Sequence, residues 1–226
     1  MSQALFNLHL DTVSKLENTS GWSILSASSA TLTMTYRSIL QLFFHPPAFN
    51  TSTTAQENAP ISLTYLADTH EYRPEQLTTE KRFFLQMMRA RLQCLQQPTT
   101  SIPSLLHFVA SSWASACSVA DQARLLDSQF ITTSSILSDE KFVVHATILL
   151  REMITKVEVG FEVNVKNMGG VEAMEMRTTA IARVVYGERL KEKMMGEFLE
   201  KKIGQGKKWV EAVEELEEKL RARGRK

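Results

Sequence analysis

Runs of strict period-two alternation, gathered in two blocks and separated by helical stretches, constrain this chain most. Thr31-Leu32-Thr33-Met34-Thr35-Tyr36 alternates without error, with Leu32, Met34 and Tyr36 on one side and threonines on the other. Leu40, Leu42 and Phe44 repeat the pattern, and Ile61, Leu63 and Tyr65 repeat it again after a polar stretch. Side chains two apart share one face of a strand, so each run buries one face and leaves the other for water. Trp22-Ser23-Ile24-Leu25 adds a short strand, and the link at Ser26–Ser29 is short enough for a hairpin. Four antiparallel strands in sequence order are the simplest arrangement.

The second block begins at Phe142, where Phe142, Val144, Ala146, Ile148 and Leu150 alternate. Val143, Thr147 and Leu149 make its other face fairly apolar too. Lys156–Val165 is the most regular strand, with Val157, Val159, Phe161, Val163 and Val165 on one side. Met168-Gly169-Gly170 supplies a turn, Ala180–Tyr186 reads as a further strand, and Val171–Arg177 fits a strand or a helix.

Helical periods fill the intervals. Leu5, Leu8, Val13 and Leu16 form a stripe that ends at Asn18–Gly21. Asn50–Pro60 reads as a mobile polar loop. Pro74-Glu75 opens a helix with Leu85, Met88, Leu92 and Leu95 on one face, closed by Pro98. Ser101-Ile102-Pro103 starts a long helix carrying Leu106, Val109, Trp113 and Ala120. Glu188–Ile203 places Leu190, Met194, Phe198 and Leu199 inward. Trp209, Val213, Leu216 and Leu220 then follow with the four-three-four spacing of a heptad seam. The order helix, about four strands, two helices recurs, although no sequence motif repeats. The expected fold class is α+β. A helix or end of a coiled coil spans residues 1–20, a first unit spans 21–117 and a second spans 118–226.

Composition narrows function. The chain has 226 residues and a formal net charge of +1, so no global field draws it to nucleic acid or an acidic membrane. No apolar run is long enough for a membrane helix, and Met1–Leu16 lacks the layout of a secretory signal. On that ground the glycosylation patterns at Asn18 and Asn50 are chance matches. Cys94 and Cys117 read as small buried apolar groups in a reducing compartment.

His9, His45, His70, His107 and His145 occur singly, without metal-ligand spacing. No glycine-rich phosphate loop is present, and Glu214–Glu218 reads as solvated helix charge. The basic end, Arg221 to Lys226, reads as a tail balanced by those glutamates. His45-Pro46-Pro47 stands where ubiquitin-conjugating enzymes, which share this element order, carry His-Pro-Asn. The asparagine position here is Pro47, and the nearest downstream cysteine is Cys94, within a helical stretch. The expectation is therefore no enzyme, no cofactor, no metal and no small-molecule substrate.

What rises above the background is a sheet edge. If Lys156–Val165 lay at an edge, a partner peptide could add to it, with Val157, Val159, Phe161, Val163 and Val165 as the candidate partner-binding residues. The alternative is that Val171–Tyr186 covers that edge.

Several separated blocks carry a family resemblance. Gly21-Trp22-Ser23-Ile24, Leu32-Thr33-Met34-Thr35-Tyr36, Leu42-Phe43-Phe44, Val184-Val185-Tyr186-Gly187-Glu188 and Met195-Gly196-Glu197-Phe198-Leu199 resemble the C-terminal region of the fungal Spc-type outer-kinetochore scaffold. This is the Blinkin or kinetochore-null family of the KMN network. The resemblance implies two tandem RWD domains, a fold like that of ubiquitin-conjugating enzymes without their active site. It further implies a nuclear, kinetochore location and docking onto the MIND complex through the C-terminal tail of its Nsl-type subunit. The helix before the first unit would continue a coiled coil that pairs with a scaffold co-subunit. The Tyr-Pro-x-x-x-Pro signature of many RWD domains is absent; His45-Pro46-Pro47-Ala48-Phe49 stands nearby. Two rival readings remain: a degenerate ubiquitin-conjugating-like protein, and a helical oligomerisation module built on the Trp209–Leu220 seam.

Overall fold

A computed structural model describes residues 21–49, 58–66, 77–166, 171 and 174–224. The expected N-terminal helix, both glycosylation patterns, the Pro74-Glu75 helix start and the Met168–Gly170 turn lie outside the described residues. The fold is α+β, with two antiparallel four-stranded sheets and four α-helices among the described residues. It divides into two compact units. One comprises the described residues up to Leu77, Phe84–Trp113 and Val171; the other comprises Thr78–Phe83, Ala114–Asn167 and the described residues from Met174 onward. Along the helix Ile102–Asp127, the division falls between Trp113 and Ala114.

In the first unit β1 (Trp22–Ala27), β2 (Leu32–Tyr36), β3 (Leu40–Phe44) and β4 (Ser62–Tyr65) pair in sequence order. The alternation holds: Leu32, Met34, Tyr36, Leu40, Leu42, Phe44 and Leu63 are all buried. Tyr36 pairs with Leu40 across a tight turn. Arg37 and Ser38 in that turn both take positive φ, at 50° and 56°, where glycine or asparagine is usual. Helix α1 (Thr79–Gln93) starts after Thr78, whose Oγ1 accepts the Lys81 N–H at 3.4 Å. Helix α2 (Ile102–Asp127) starts after Ser101, whose Oγ accepts the Ser104 N–H at 3.2 Å, with Pro103 in the first turn. Phe84, Leu85, Met88, Leu92, Leu105, Leu106, Val109 and Trp113 complete this core.

The polar loop is only partly as expected. Residues 50–57 lie outside the description, but its last residues are pinned. Buried Gln97 accepts the Ala59 N–H at 2.9 Å and donates to the Ala59 carbonyl at 2.5 Å. A side-chain amide thereby completes a main-chain pair that would otherwise be left unsatisfied.

In the second unit β5 (Ile131–Ser138), β6 (Lys141–Leu150), β7 (Thr155–Lys166) and β8 (Glu175–Tyr186) again pair in order. The ambiguous stretch around Val171–Arg177 resolves as strand from Glu175 onward. β5 is the strand that apolar alternation does not reveal, because its residues are mostly exposed. Phe142, Val144, Ala146, Ile148 and Leu150 of β6 are all buried on the core face. Phe83, from the start of α1, lies 5.0 Å from Phe142 between ring centroids.

Two helices close this unit, α3 (Glu192–Gly204) and α4 (Trp209–Gly224). α3 begins later than expected; Leu190 and Leu199 are buried as expected, but Met195 takes the inward place expected of Met194. Met194 is 59% exposed, while Met195 and Leu199 are buried. On α4, Trp209, Val213, Leu216 and Leu220 are all buried. The Trp209 indole stacks on Phe161 at 4.7 Å, 5° from parallel, and the Trp209 main-chain N–H donates to Gln122 Oε1 at 3.0 Å. The heptad-like seam therefore faces this unit's own core. The cysteines also differ from expectation: Cys94 is exposed and Cys117 half-buried.

Candidate docking edge

A folded module without an obvious reaction site offers two things to a partner: apolar surface and unpaired main-chain groups. A strand at the margin of a sheet presents both. Each sheet here has two margins, so β1, β4, β5 and β8 are the edge strands.

The strand expected from sequence to serve this role is not among them. β7 pairs with β6 from Thr155 to Asn164 and with β8 from Lys156 to Lys166. Val157, Val159, Phe161, Val163 and Val165 are at most 2% exposed. The unbroken regularity of Lys156–Val165 is the signature of an interior strand, covered on both flanks and packed on one face. β8, Glu175–Tyr186, covers that edge.

Three of the true margins are blunted. Along β8, Glu192 of α3 accepts the Val184 N–H at 2.8 Å. Gly196 comes so close that a Cβ there would sit 3.2 Å from the Ala180 carbonyl oxygen. α3 thus lies beside β8, and its Glu192 occupies the Val184 amide. β4 is four residues long, and Arg89 Nε donates to the Leu63 carbonyl at 2.8 Å. β1 carries a bulge between Ile24 and Ser26, which twists an edge away from regular pairing.

β5 differs from these. Its eight residues, Ile-Thr-Thr-Ser-Ser-Ile-Leu-Ser, contain no charge, proline or glycine. From Ile131 to Ile136 it pairs with β6 in regular register, and the register shifts only near its far end, between Ile136 and Ser138. Among the described residues no other strand adds to it and no side chain bonds its main chain. Ile131 is 69% exposed, and Leu137 is exposed as well.

Two hydroxyls anchor β5. Ser134 Oγ donates to buried Glu80 Oε1 at 2.5 Å, and Thr132 Oγ1 donates to Asp127 Oδ1 at 2.5 Å. Beside its first residue opens a groove of about 520 Å³ whose lining includes Phe130, Ile131, Thr147, Leu149, Arg151 and Arg221. An extended segment could pair along β5 and place a side chain into this groove. Sequence reading missed the site because its apolar residues do not alternate; the usable signal was an uncharged, β-branched run between Asp127 and Asp139.

The tripeptide His45-Pro46-Pro47 has a structural role. Pro46 and Ala48 are buried in a turn, and Phe49 packs edge-on against Phe44 at 5.6 Å. Cys94 stands in the turn after α1. Among the described residues no group of three His, Cys, Asp or Glu side chains could hold a metal ion, and no helix is long and apolar enough to cross a membrane.

The profile of the Knl1 RWD C-terminal domain matches residues 2–120, just over half of the chain. The chain belongs to the Knl1 RWD C-terminal domain family. The match takes in all of the first sheet and α1, and it ends inside α2. Membership implies a kinetochore scaffold role in chromosome segregation, and with it a kinetochore location. No curated protein matches the chain. The α+β architecture, with antiparallel four-stranded sheets and helices, is consistent with RWD-like domains.

Proposed function

We propose that this chain is a non-catalytic docking module of a fungal Spc-type kinetochore scaffold, formed by two RWD domains in tandem. It would dock onto the MIND complex through the C-terminal tail of the Nsl-type subunit, and so join the microtubule-binding layer to the inner kinetochore. An upstream helix would pair with the coiled-coil scaffold co-subunit. Within a scaffold family, the observation that supports docking is the open β5 edge: it is uncharged and solvent-facing, and among the described residues no strand or side chain occupies its main chain, whereas Glu192 and Arg89 contact the main chain of β8 and β4. Edges of that kind persist where a partner covers them, because an unmanaged edge invites aggregation.

The test is titration calorimetry of the full chain against an assembled MIND complex. We expect saturable binding that disappears when the C-terminal tail of the Nsl-type subunit is removed. Failure of the intact complex to bind would end this reading. The rival based on helical oligomerisation loses support because Trp209, Val213, Leu216 and Leu220 face the unit's own interior.

A further inference from the structure

The charges around β5 are distributed unevenly, and they specify what kind of segment the edge accepts. The strand itself is uncharged. Its far end runs into the tight turn at Asp139 and Glu140, both exposed. Neither carboxylate forms an ion pair among the described residues. The nearest lysine in the turn, Lys141, is committed to Glu162 at 2.6 Å. The near end is different. The groove beside Ile131 is lined by two cations and two anions, and Arg221 is already held by Glu217 at 2.6 Å. Charge is balanced there, and Ile131 and Leu149 present apolar surface.

We propose that β5 binds an extended, basic-then-apolar segment of another protein, paired antiparallel, with Lys or Arg opposite Asp139–Glu140 and an apolar side chain in the Ile131–Leu149 groove. This rests on the docking reading above and names the chemistry of the segment. The antiparallel sense places the segment's N-terminal part against Ser138 and its C-terminal part against Ile131. Main-chain bonds to the open edge supply sequence-independent attraction, the carboxylates set direction, and the groove sets register. A second copy of this chain would be a poor occupant. Antiparallel self-pairing of β5 would bring Asp139 and Glu140 of each copy to the Ile131 end of the other, where no net positive charge awaits them.

The test follows main-chain amide exchange in the full chain. The first probe is a synthetic C-terminal tail of the Nsl-type subunit. The second is a peptide as long as β5 with two lysines first, alternating valine and threonine next, and leucine last. We expect binding of both, with alternate amides of Ile131–Ser138 exchanging at least about tenfold more slowly. The double variant Asp139→Lys/Glu140→Lys should weaken binding by about tenfold at low salt, and less as salt rises. Ile131→Asp should weaken it comparably. Unchanged exchange in β6 and β7 of the variants shows that they fold. Replacing the probe's lysines with glutamates should cost affinity; equal affinity overturns the charge assignment. If the tail binds but β5 exchange does not change, this inference fails and the docking reading stands. If the tail does not bind, the docking reading fails and the lysine peptide decides alone: slowed β5 amides keep the edge assignment, and unaltered ones overturn it.

Discussion

Glu192 Oε1 accepts the Val184 main-chain N–H at 2.8 Å. A side chain from α3 thereby stands in for the strand that would otherwise pair with β8, and the sheet's outer margin is closed from within. Glu192→Ala should release this amide, and Glu192→Gln should retain it, since a neutral carbonyl oxygen still accepts. We expect faster exchange at Val184 in the alanine variant, with a stability loss of about 0.5–1.5 kcal/mol by urea denaturation. Equal exchange in wild type and alanine variant would show that the contact does not guard the edge.

Trp209 links α4 to β7. Its ring lies flat on Phe161 at 4.7 Å, and its main-chain N–H is held by Gln122. Trp209→Ala removes a large buried aromatic and should cost about 3–5 kcal/mol. Trp209→Phe keeps the stacked ring at smaller volume and should cost clearly less. Thermal unfolding with intrinsic fluorescence would resolve the two, with Trp22 and Trp113 as the remaining emitters. Equal losses would mean that indole size, rather than stacking, sets the cost.

The half-buried strands were legible because burial itself writes the period: Leu32, Met34 and Tyr36, or Leu40, Leu42 and Phe44, alternate since one face must exclude water. β5 was not legible on the same ground. Its hydroxyls bond to Glu80 and Asp127 instead of packing, so no apolar rhythm marks it. The Met194–Met195 exchange on α3 shows a related limit. Both methionines suit a helix, and only the approach of Gly196 to β8 decides which turns inward. Edge status was the hardest property to read. Whether β7 is marginal or interior depends on β8, whose residues lie at least nine positions further along than their partners. The turn at Arg37 and Ser38 carried no glycine to announce it; the Arg37 N–H donates instead to the Gly21 carbonyl at 2.8 Å.

Gly160 interrupts the polar face of β7 for a steric reason. A Cβ there would lie 2.9 Å from Ile181 Cγ1 and 3.2 Å from His145 Nδ1. Side chains from both flanking strands close over the bare backbone. Gly160→Val should therefore destabilise by about 1–3 kcal/mol, against its intrinsic strand preference. Combining it with Ile181→Ala should recover part of the loss. A double-mutant cycle by urea denaturation checks this, and additive losses would remove the close approach as the cause.

Glu80 enters the second unit as a buried carboxylate whose Oε1 accepts from Ser134 Oγ at 2.5 Å. The contact ties the first turn of α1 to the middle of β5 through a side chain on one face of the sheet, apart from the strand's edge. Ser134→Ala leaves the carboxylate without this donor and should cost about 1–3 kcal/mol, because a buried acceptor loses its compensation for dehydration. Glu80→Leu alone strands the hydroxyl instead, a smaller penalty. Removing both partners in Glu80→Leu/Ser134→Ala should cost less than the sum of the single changes, since no unmatched polar group remains. The readout is twofold: urea denaturation for the coupling energy, and amide exchange along Ile131–Ser138 for the order of the strand. Ser134→Ala should speed exchange in β5 and leave β7 unaffected, because β7 is held by strands on both sides. Equal acceleration in the two strands would mean that the hydrogen bond supports the whole sheet rather than presenting its edge.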